Sequence, residues 1–287
     1  MIGPDRPVPA CEQGYGLIAA VAAIAVFGAL ALSVVTATRV SIAAGAGEMA
    51  RARADAAADA GLAIAEHGVV TGNDQFLALV HGRAREIEFD GSRITVHVVD
   101  ERGKIPLGHV EADTTARMLE QAGLSGENLT IASDSLQDWL DDDDQPRSAG
   151  AESAWYARQG YGPRNGGPLT VDELARVRGF GPRLAERLRG YVTVDPDIQA
   201  FDPTYAQPGA IAAMTANGDL TPEAIQARRE ADGQQVALEI VKPGQFLNRP
   251  LTIIVDAQTP DGGHAHREVV IVVTGKPAQP YLIHAVR

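Results

Sequence analysis

Apolar and small residues run without a charge from Tyr15 to Thr38, YGLIAAVAAIAVFGALALSVVTAT, 24 positions in all. About 20 such residues are enough to cross the hydrocarbon core of a bilayer as a helix. A surface helix of a soluble domain carries a polar face, and this run has none. It is predicted to be a membrane-spanning helix holding a large water-soluble part. The alternative is a cleaved secretory signal, with an apolar core of about 7–15 residues and an A-x-A-like exit. This run is longer, and the chain beyond it stays helix-forming. Residues 39–67, RVSIAAGAGEMARARADAAADAGLAIAEH, are rich in Ala, Glu and Arg, with Gly45 and Gly47 as the weak points. Val40, Ala43, Ala44, Met49, Ala56, Ala60 and Ile64 form a rough helical stripe. One helix from Tyr15 to about His67 would be roughly 80 Å long. Half would lie in lipid and half would pack on a soluble domain.

The period then changes. REIEFDG and SRITVHVVDE alternate, are rich in Ile, Val and Phe, and flank Asp90-Gly91, a hairpin signal. PLTIIVDAQT, HREVVIVVTG and YLIHAVR read as three more strands, with Pro260-Asp261-Gly262-Gly263 as a turn. Two strands before and three after predict one sheet interrupted by an insertion. The insertion, about Gly108 to Lys242, reads as helical. Helices are predicted at 114–123, at 133–141 with Ser133 as N-cap, and at 171–178 behind a Thr170/Glu173 capping box. Two more come at 182–188, with Pro at its first position, and at about 221–231. The expected class is α+β: a long N-terminal helix, an antiparallel sheet, and a helical domain inserted between strands. The segments are a leader at 1–14, the span at 15–38, helix continuation and first strands at 39–107, the insertion at 108–242, and the last strands at 243–287.

Composition narrows the function. A formal net charge of −12 over 287 residues opposes general binding to a phosphate backbone. The single cysteine, Cys11, allows no intrachain disulfide. The histidines, 67, 81, 97, 109, 264, 266 and 284, show no metal-protease or triad spacing, and His264-x-His266 is expected to be exposed at a turn. No catalytic residues are identified, and an enzyme is not expected.

Glu12-Gln13-Gly14-Tyr15 places a Gly between a short polar leader and the apolar helix. This resembles the prepilin peptidase site of type IV pilins and pseudopilins, where the cut comes after Gly. The fifth residue after that cut, Glu in most pseudopilins, is Ala19 here. Further on come Leu136-Gln137-Asp138-Trp139-Leu140-Asp141-Asp142-Asp143, Gly150-Ala151-Glu152, Trp155-Tyr156, Asn165, and Pro168-Leu169-Thr170 before Glu173-Leu174 with Val177-Arg178-Gly179. With Asp100-Glu101-x-Gly-Lys-Ile at 100–105, this series closely resembles general secretion pathway protein K, a family that lacks that Glu. The chain departs from the family at Pro106-Leu107-Gly108, where members often have Asn-Leu-Asn, and at Ser153, where they often have Asp.

The resemblance implies a pilin-like sheet carrying a SAM-like, helix-hairpin-helix-like insertion. It implies a minor pseudopilin of the type II secretion system, at or near the tip of the pseudopilus with minor pseudopilins I and J. The soluble part would lie in the periplasm and the anchor in the inner membrane. Charge counting points the other way: Arg39, Arg51 and Arg53 come after the span and only Arg6 precedes it. Ala19 suits a tip subunit. In the family picture each Glu is neutralised by the N-terminal amine of the subunit ahead, and an unpaired carboxylate in lipid is expensive. The expected partner contact is the Ala-rich helix face with Met49, Ala56, Ala60 and Ile64.

Two motifs remain. Val177–Ala185 resembles a helix-hairpin-helix whose Gly-x-Gly turn presents N–H groups to a DNA phosphate, with Arg178, Arg183, Arg187 and Arg189 nearby. The rival function is therefore a membrane-tethered DNA-binding module, but an acidic chain favours a purely structural hairpin and nucleic acid is not the expected partner. The run Asp141–Asp144 is a candidate calcium loop. With Asp141 as position one, Asp143 is three, Gln145 five, Arg147 seven and Glu152 twelve, the ligand offsets of an EF-hand, although Pro146 stands where that loop needs Gly. Asp141, Asp143 and Glu152 are the expected ligands. Hard oxygen donors without Cys or His favour calcium over zinc, and the family is known to bind calcium in its helical domain.

Cleavage is expected between Gly14 and Tyr15. Mass spectrometry of membrane-extracted protein should find a chain beginning at Tyr15 with a methylated N-terminus; a mature chain beginning after Ala37 or later would show an ordinary signal peptide instead.

Overall fold

The computed structural model describes residues 12–72, 84–198, 200–215 and 246–286, with positions 76, 79, 224, 227 and 230. The expected helix at 221–231, the end of the insertion at Lys242, and His81 fall largely or wholly outside them.

Helix α1 runs unbroken over Glu12–Thr71, 60 residues. Its most apolar window has a mean hydropathy of 2.6 and none of it is buried. Every residue from Tyr15 to Met49 is exposed, so this half is no core helix of a soluble fold. From Ala50 onward one face turns inward: Ala50, Ala54, Ala57 with Ala58, Gly61, Ala65, and Gly68 with Val69 are buried, so that the inward face recurs every three to four residues. Small side chains let the helix lie close to the sheet. At Gly61 a Cβ would stand 2.6 Å from Ile94 Cγ2 and 2.9 Å from Val255 Cγ1. The expected stripe lies largely on the other side. Met49 and Ala56 are exposed, and Ala60 and Ile64 are half-buried, Ile64 packing against the sheet core.

The sheet is antiparallel with strand order β1-β2-β5-β6-β7. Strands β1 (Ala84–Phe89) and β2 (Ser92–Asp100) form the hairpin that Asp90-Gly91 predicts, with φ of 48° and 72° at the turn. Both positive values suit a two-residue turn that matches strand twist. Strands β5 (Pro250–Gln258), β6 (His264–Lys276) and β7 (Gln279–Val286) complete it. Ile94, Val96, Val98, Leu251, Ile253, Val255, Ile271 and Val273 meet α1 in one core. His264 and His266 are exposed as expected, but at the start of β6 rather than in the turn, with His266 Nδ1 2.8 Å from Asp256.

The insertion has its own core, built around Leu136, Trp139, Tyr156, Leu174, Leu184 and Leu188. Between β2 and β5 lie β3 (Ile105–Pro106), α2 (Ala112–Gln121), α3 (Gly126–Leu140), α4 (Ser153–Tyr156), α5 (Pro182–Leu188), β4 (Val192–Thr193) and α6 (Pro208–Met214). Strands β3 and β4 pair in parallel, a small sheet that the sequence pattern does not signal. Helix α3 begins at Gly126, seven residues before the expected start, because Leu129 and Ala132 already pack inward and extend the apolar face. The Thr170/Glu173 box opens a 3-10 helix at Val171–Arg176 rather than an α-helix, and Thr170 makes no cap bond. The Glu173 carboxylate instead accepts the Leu169 N–H at 3.1 Å and pairs with Arg164.

Asp100 and Glu101 join insertion to sheet. Asp100, at the end of β2, accepts from Arg102 and from Arg249. Glu101, 1% exposed, binds Lys104, the Thr193 hydroxyl on β4 and the Thr252 hydroxyl on β5. Arg102 O accepts the Asp202 N–H at 2.7 Å. Gly103 is required here, since a Cβ would meet the Tyr205 carbonyl carbon at 2.5 Å. The Asp-Glu-x-Gly-Lys-Ile series is thus a structural knot. Burial would raise the Glu101 pKa, but Lys104 and the two hydroxyls outweigh it and hold it below the usual carboxylate range. A depressed carboxylate contributes stability that is present above its unfolded pKa and lost as pH falls through the folded one. Glu101→Gln should therefore destabilise the fold at pH 7 by about 3–5 kcal/mol, as when one partner of a buried pair is removed. Denaturant melts of wild type and variant should show that gap shrinking as pH drops below about 4.5; a gap that does not vary with pH would mean the Glu101 charge is irrelevant.

Candidate metal centre

The three acids chosen by spacing converge. Ligand oxygens of Asp141, Asp143 and Glu152 lie within 4.8 Å of one another. Asp141 caps the C-terminus of α3, where the helix end already carries partial negative charge. Glu152 stands just before α4. The loop between them is wrapped around α3. Asp138 accepts the Arg147 N–H at 3.1 Å, and Asp134, one turn earlier, accepts the Ala149 N–H at 3.0 Å. Gly150 makes the wrap possible, because a Cβ there would overlap Asp138 Oδ2 at 1.9 Å. Asp144 takes the Ser153 N–H and Asp143 takes the Gln145 N–H.

The Arg147 carbonyl, at position seven, accepts the Gly150 N–H at 3.1 Å. Arg147 Nη2 lies 3.7 Å from Asp141.

The electrostatics are those of an unfinished site. Glu152 is 3% exposed, and neither of its carboxylate oxygens has a hydrogen-bond partner; Asp141 Oδ1 is also buried without one. Buried polar groups are normally satisfied. Burial, then the charges of Asp138, Asp141, Asp144 and Asp143, push the Glu152 pKa up to about 7. Asp141 is raised by burial and by Asp143, against the pull of Arg147. These residues fit a hard divalent cation, which would neutralise the repulsion and occupy the orphaned oxygens. Asp138 carries no sequence signal as a site residue; its part is to hold the loop, as its bond from the Arg147 N–H and its close approach to Gly150 reveal.

A second trio, Asp195, Asp197 and His284, also brings ligand atoms within 4.8 Å. Here the acceptors are used. Asp195 Oδ1 takes the Asp197 N–H at 2.9 Å and Oδ2 sits 3.0 Å from His284 Nδ1, tying the insertion to β7.

The hairpin at 177–185 is built into the core. Gly179 and Gly181 have φ of 86° and 73°, and a Cβ on Gly179 would lie 3.1 Å from Ala132 of α3. Arg178 donates to the Gly150 carbonyl at 2.8 Å and its N–H to the Tyr156 hydroxyl at 3.2 Å. Arg189 pairs with Asp172 and Glu186. Of the four arginines, Arg178 is committed to main-chain carbonyls and Arg189 is paired with two carboxylates, which reduces the free positive charge a DNA backbone would need.

Residues 99–197, which hold both the knot and the acidic loop, match the family model described as Type II secretion system (T2SS), protein K. Type II secretion system protein K of Klebsiella pneumoniae is 32% identical over 159 residues, 50% of this chain and 46% of that protein. Its namesake in Dickeya chrysanthemi is 37% identical over 84 residues, 29% of this chain and 23% of that protein. The match thus spans less than half the length of either relative. In fold, a chain of the crystal structure of the GspK-GspI-GspJ complex from the enterotoxigenic Escherichia coli type 2 secretion system matches with a TM-score of 0.51 and 14% identity, over 84% of this chain and 97% of that one. Over residues 99–197 and the segments aligned with these relatives the chain is similar to type II secretion system protein K, and its architecture is that of a chain in the GspK-GspI-GspJ complex.

Proposed function

We propose that this chain is a minor pseudopilin of the type II secretion system, anchored in the inner membrane by α1 with its soluble part in the periplasm. It would act at or near the pseudopilus tip, in pseudopilus assembly and protein secretion across the outer membrane. The observation that carries this is the architecture: an exposed apolar half-helix continuous with a helix packed on a pilin-like sheet, with a helical unit inserted between β2 and β5. The same fold occurs in a complex of three such proteins. Prepilin peptidase would release the leader at Gly14-Tyr15, and the partners would be the I- and J-type minor pseudopilins. Assembly would proceed by surface complementarity, with α1 as the contact helix. The face free to receive a partner includes Met49 and Ala56, both exposed. Co-expression with I- and J-type pseudopilins, detergent extraction and gel filtration should give one complex of the three chains. Met49→Arg with Ala56→Arg should abolish it and leave the melting temperature of the isolated chain within about 2 °C. A complex that survives both changes places the interface elsewhere.

The acidic loop would hold calcium through Asp141, Asp143 and Glu152. The buried, unpartnered carboxylate of Glu152 supports this. The ion would order the loop and take no part in a reaction. Full-length protein in detergent should melt several degrees higher with calcium than with chelator, as expected when a ligand binds only the native state. An Asp143→Ala, Glu152→Ala variant should lose that difference. Equal melting of wild type in both conditions, with no calcium found by elemental analysis, would sink the calcium assignment.

A further inference from the structure

Strand β7 closes the sheet, and among the described residues no strand lies on its outer side. Such an edge offers a row of unpaired N–H and C=O groups, and natural sheets usually blunt it with charges, with Pro or with a covering segment. Pro280 stands near the start of β7, but Leu282-Ile283-His284-Ala285-Val286 holds neither Pro nor a Lys, Arg, Asp or Glu. Ile283 and Val286 are exposed. A cavity of about 480 Å³ opens beside this stretch, lined also by Leu169 and Thr170 from one segment of the insertion and by Val194 and Asp195 from another. That size is in the range of binding sites, which favour the junctions between structural units. Its charge is one-sided. Glu101, Asp172 and Asp195 line it, and His284 is the one basic side chain among its described lining residues. Glu101 is matched by Lys104, and Arg189 serves Asp172 and Glu186 together. At the rim the balance stays open: Asp195, Asp197 and His284 bring ligand atoms within 4.8 Å of one another, two carboxylates to one imidazole.

We propose that this cavity receives an extended, cationic segment of a second protein, which pairs with β7 as a further strand and sets a Lys or Arg side chain against Asp195 and Asp197. In strand addition the main-chain bonds supply affinity, and alternate side chains, meeting pockets beside the edge, supply specificity. Here the edge, the apolar wall and the carboxylates lie together, so each part of such a segment has a counterpart. Its main chain meets β7, its apolar side chains meet Leu169, Ile283 and Val286, and its cation meets the two acids. The charge decides the sign of the partner, because an acidic segment would set like charges side by side at the rim. A metal ion suits the rim less well. Asp195 Oδ1 already takes the Asp197 N–H and Oδ2 lies 3.0 Å from His284 Nδ1. A carboxylate so used still accepts a further N–H, which is all that an ammonium or guanidinium asks of it.

A positional-scanning library of peptides about eight residues long, the length of an ordinary strand, probed with full-length protein in detergent, reads the preference directly. It should select Lys or Arg at one position and Val, Ile or Leu at alternate positions. A labelled peptide of the selected sequence then gives an affinity. Asp197→Lys and Ile283→Lys, both at exposed positions, should each weaken it by about tenfold or more and leave the melting temperature within about 2 °C of wild type. N-methylation of the peptide at every second residue should abolish binding in one register and be tolerated in the other, the signature of strand pairing. A library without a cationic preference, wild-type affinity in both variants, or tolerance of N-methylation in both registers would overturn the inference. So would zinc binding that Asp197→Lys removes in a protein that selects no peptide, which would make the rim a metal site. A dimer on gel filtration that Ile283→Lys dissolves would assign the edge to a second copy of this chain and overturn it as well.

Discussion

The buried charge pair of Glu101 and Lys104 is the constraint on which the arrangement of the two units rests. A carboxylate that is 1% exposed would be intolerable alone. It is held by an ammonium three residues on and by hydroxyls from β4 and β5, so that one side chain touches the entry to the insertion, its strand β4 and the sheet. Asp100 does the same for Arg102 and Arg249. Desolvating these groups is worthwhile only if all the partners arrive together. The junction therefore behaves as a latch with two states, closed or broken, and a closed latch fixes where the insertion, and with it the acidic loop, stands relative to α1.

The acidic loop shows the opposite economy of charge. At the knot, opposite charges are matched; at the loop, like charges are crowded at a helix C-terminus, and Arg147 is the cation within reach of Asp138 and Asp141. The wrapping of 147–151 around Asp134 and Asp138 supplies the rigidity that keeps the crowd in place. The Trp139 and Tyr156 rings, 5.1 Å apart and edge-on, anchor the loop from beneath. A loop so supported can present unsatisfied oxygens without collapsing on them.

Much of this is legible in the residues. The apolar run, the Asp-Gly hairpin and the late strands come from period and turn chemistry, and the structure has them where those signals lie. The three acids can be chosen by spacing because metal loops are local in sequence. The features without a sequence signal depend on partners far along the chain. The start of α3 is hidden by the polar residues Glu127, Asn128 and Thr130, although Leu129 and Ala132 pack on other elements. The 3-10 turn at 171–176 looks like an α-helix until Glu173 is seen bonding Leu169 and Arg164. Asp138 reads as one more acid until Gly150 closes on it, and the Asn165 amide gives no local sign that it reaches the acidic loop, where it donates to the Asp143 carbonyl. The Asp-Glu-x-Gly-Lys-Ile series can be recognised but not explained from sequence, since its reason lies at Thr193, Tyr205 and Thr252.

The exposed stretch of α1 carries a mechanical meaning. Residues 39–49 separate the apolar span from Ala50, where packing on the sheet begins, and at about 1.5 Å per residue they form a bare stalk of roughly 16 Å. Gly45 and Gly47 sit in that stalk with no atom of another element within 4 Å of a Cβ built on either. In a helix interior each weakens the helix by about 1 kcal/mol relative to Ala, and here no packing offsets it. Above them the helix is clamped along its Ala-lined face; below them a bilayer would clamp it. A pull along the axis, or a sideways push from a neighbour, would then concentrate its strain between those two clamps, in the part of the helix that has neither packing nor lipid to stiffen it.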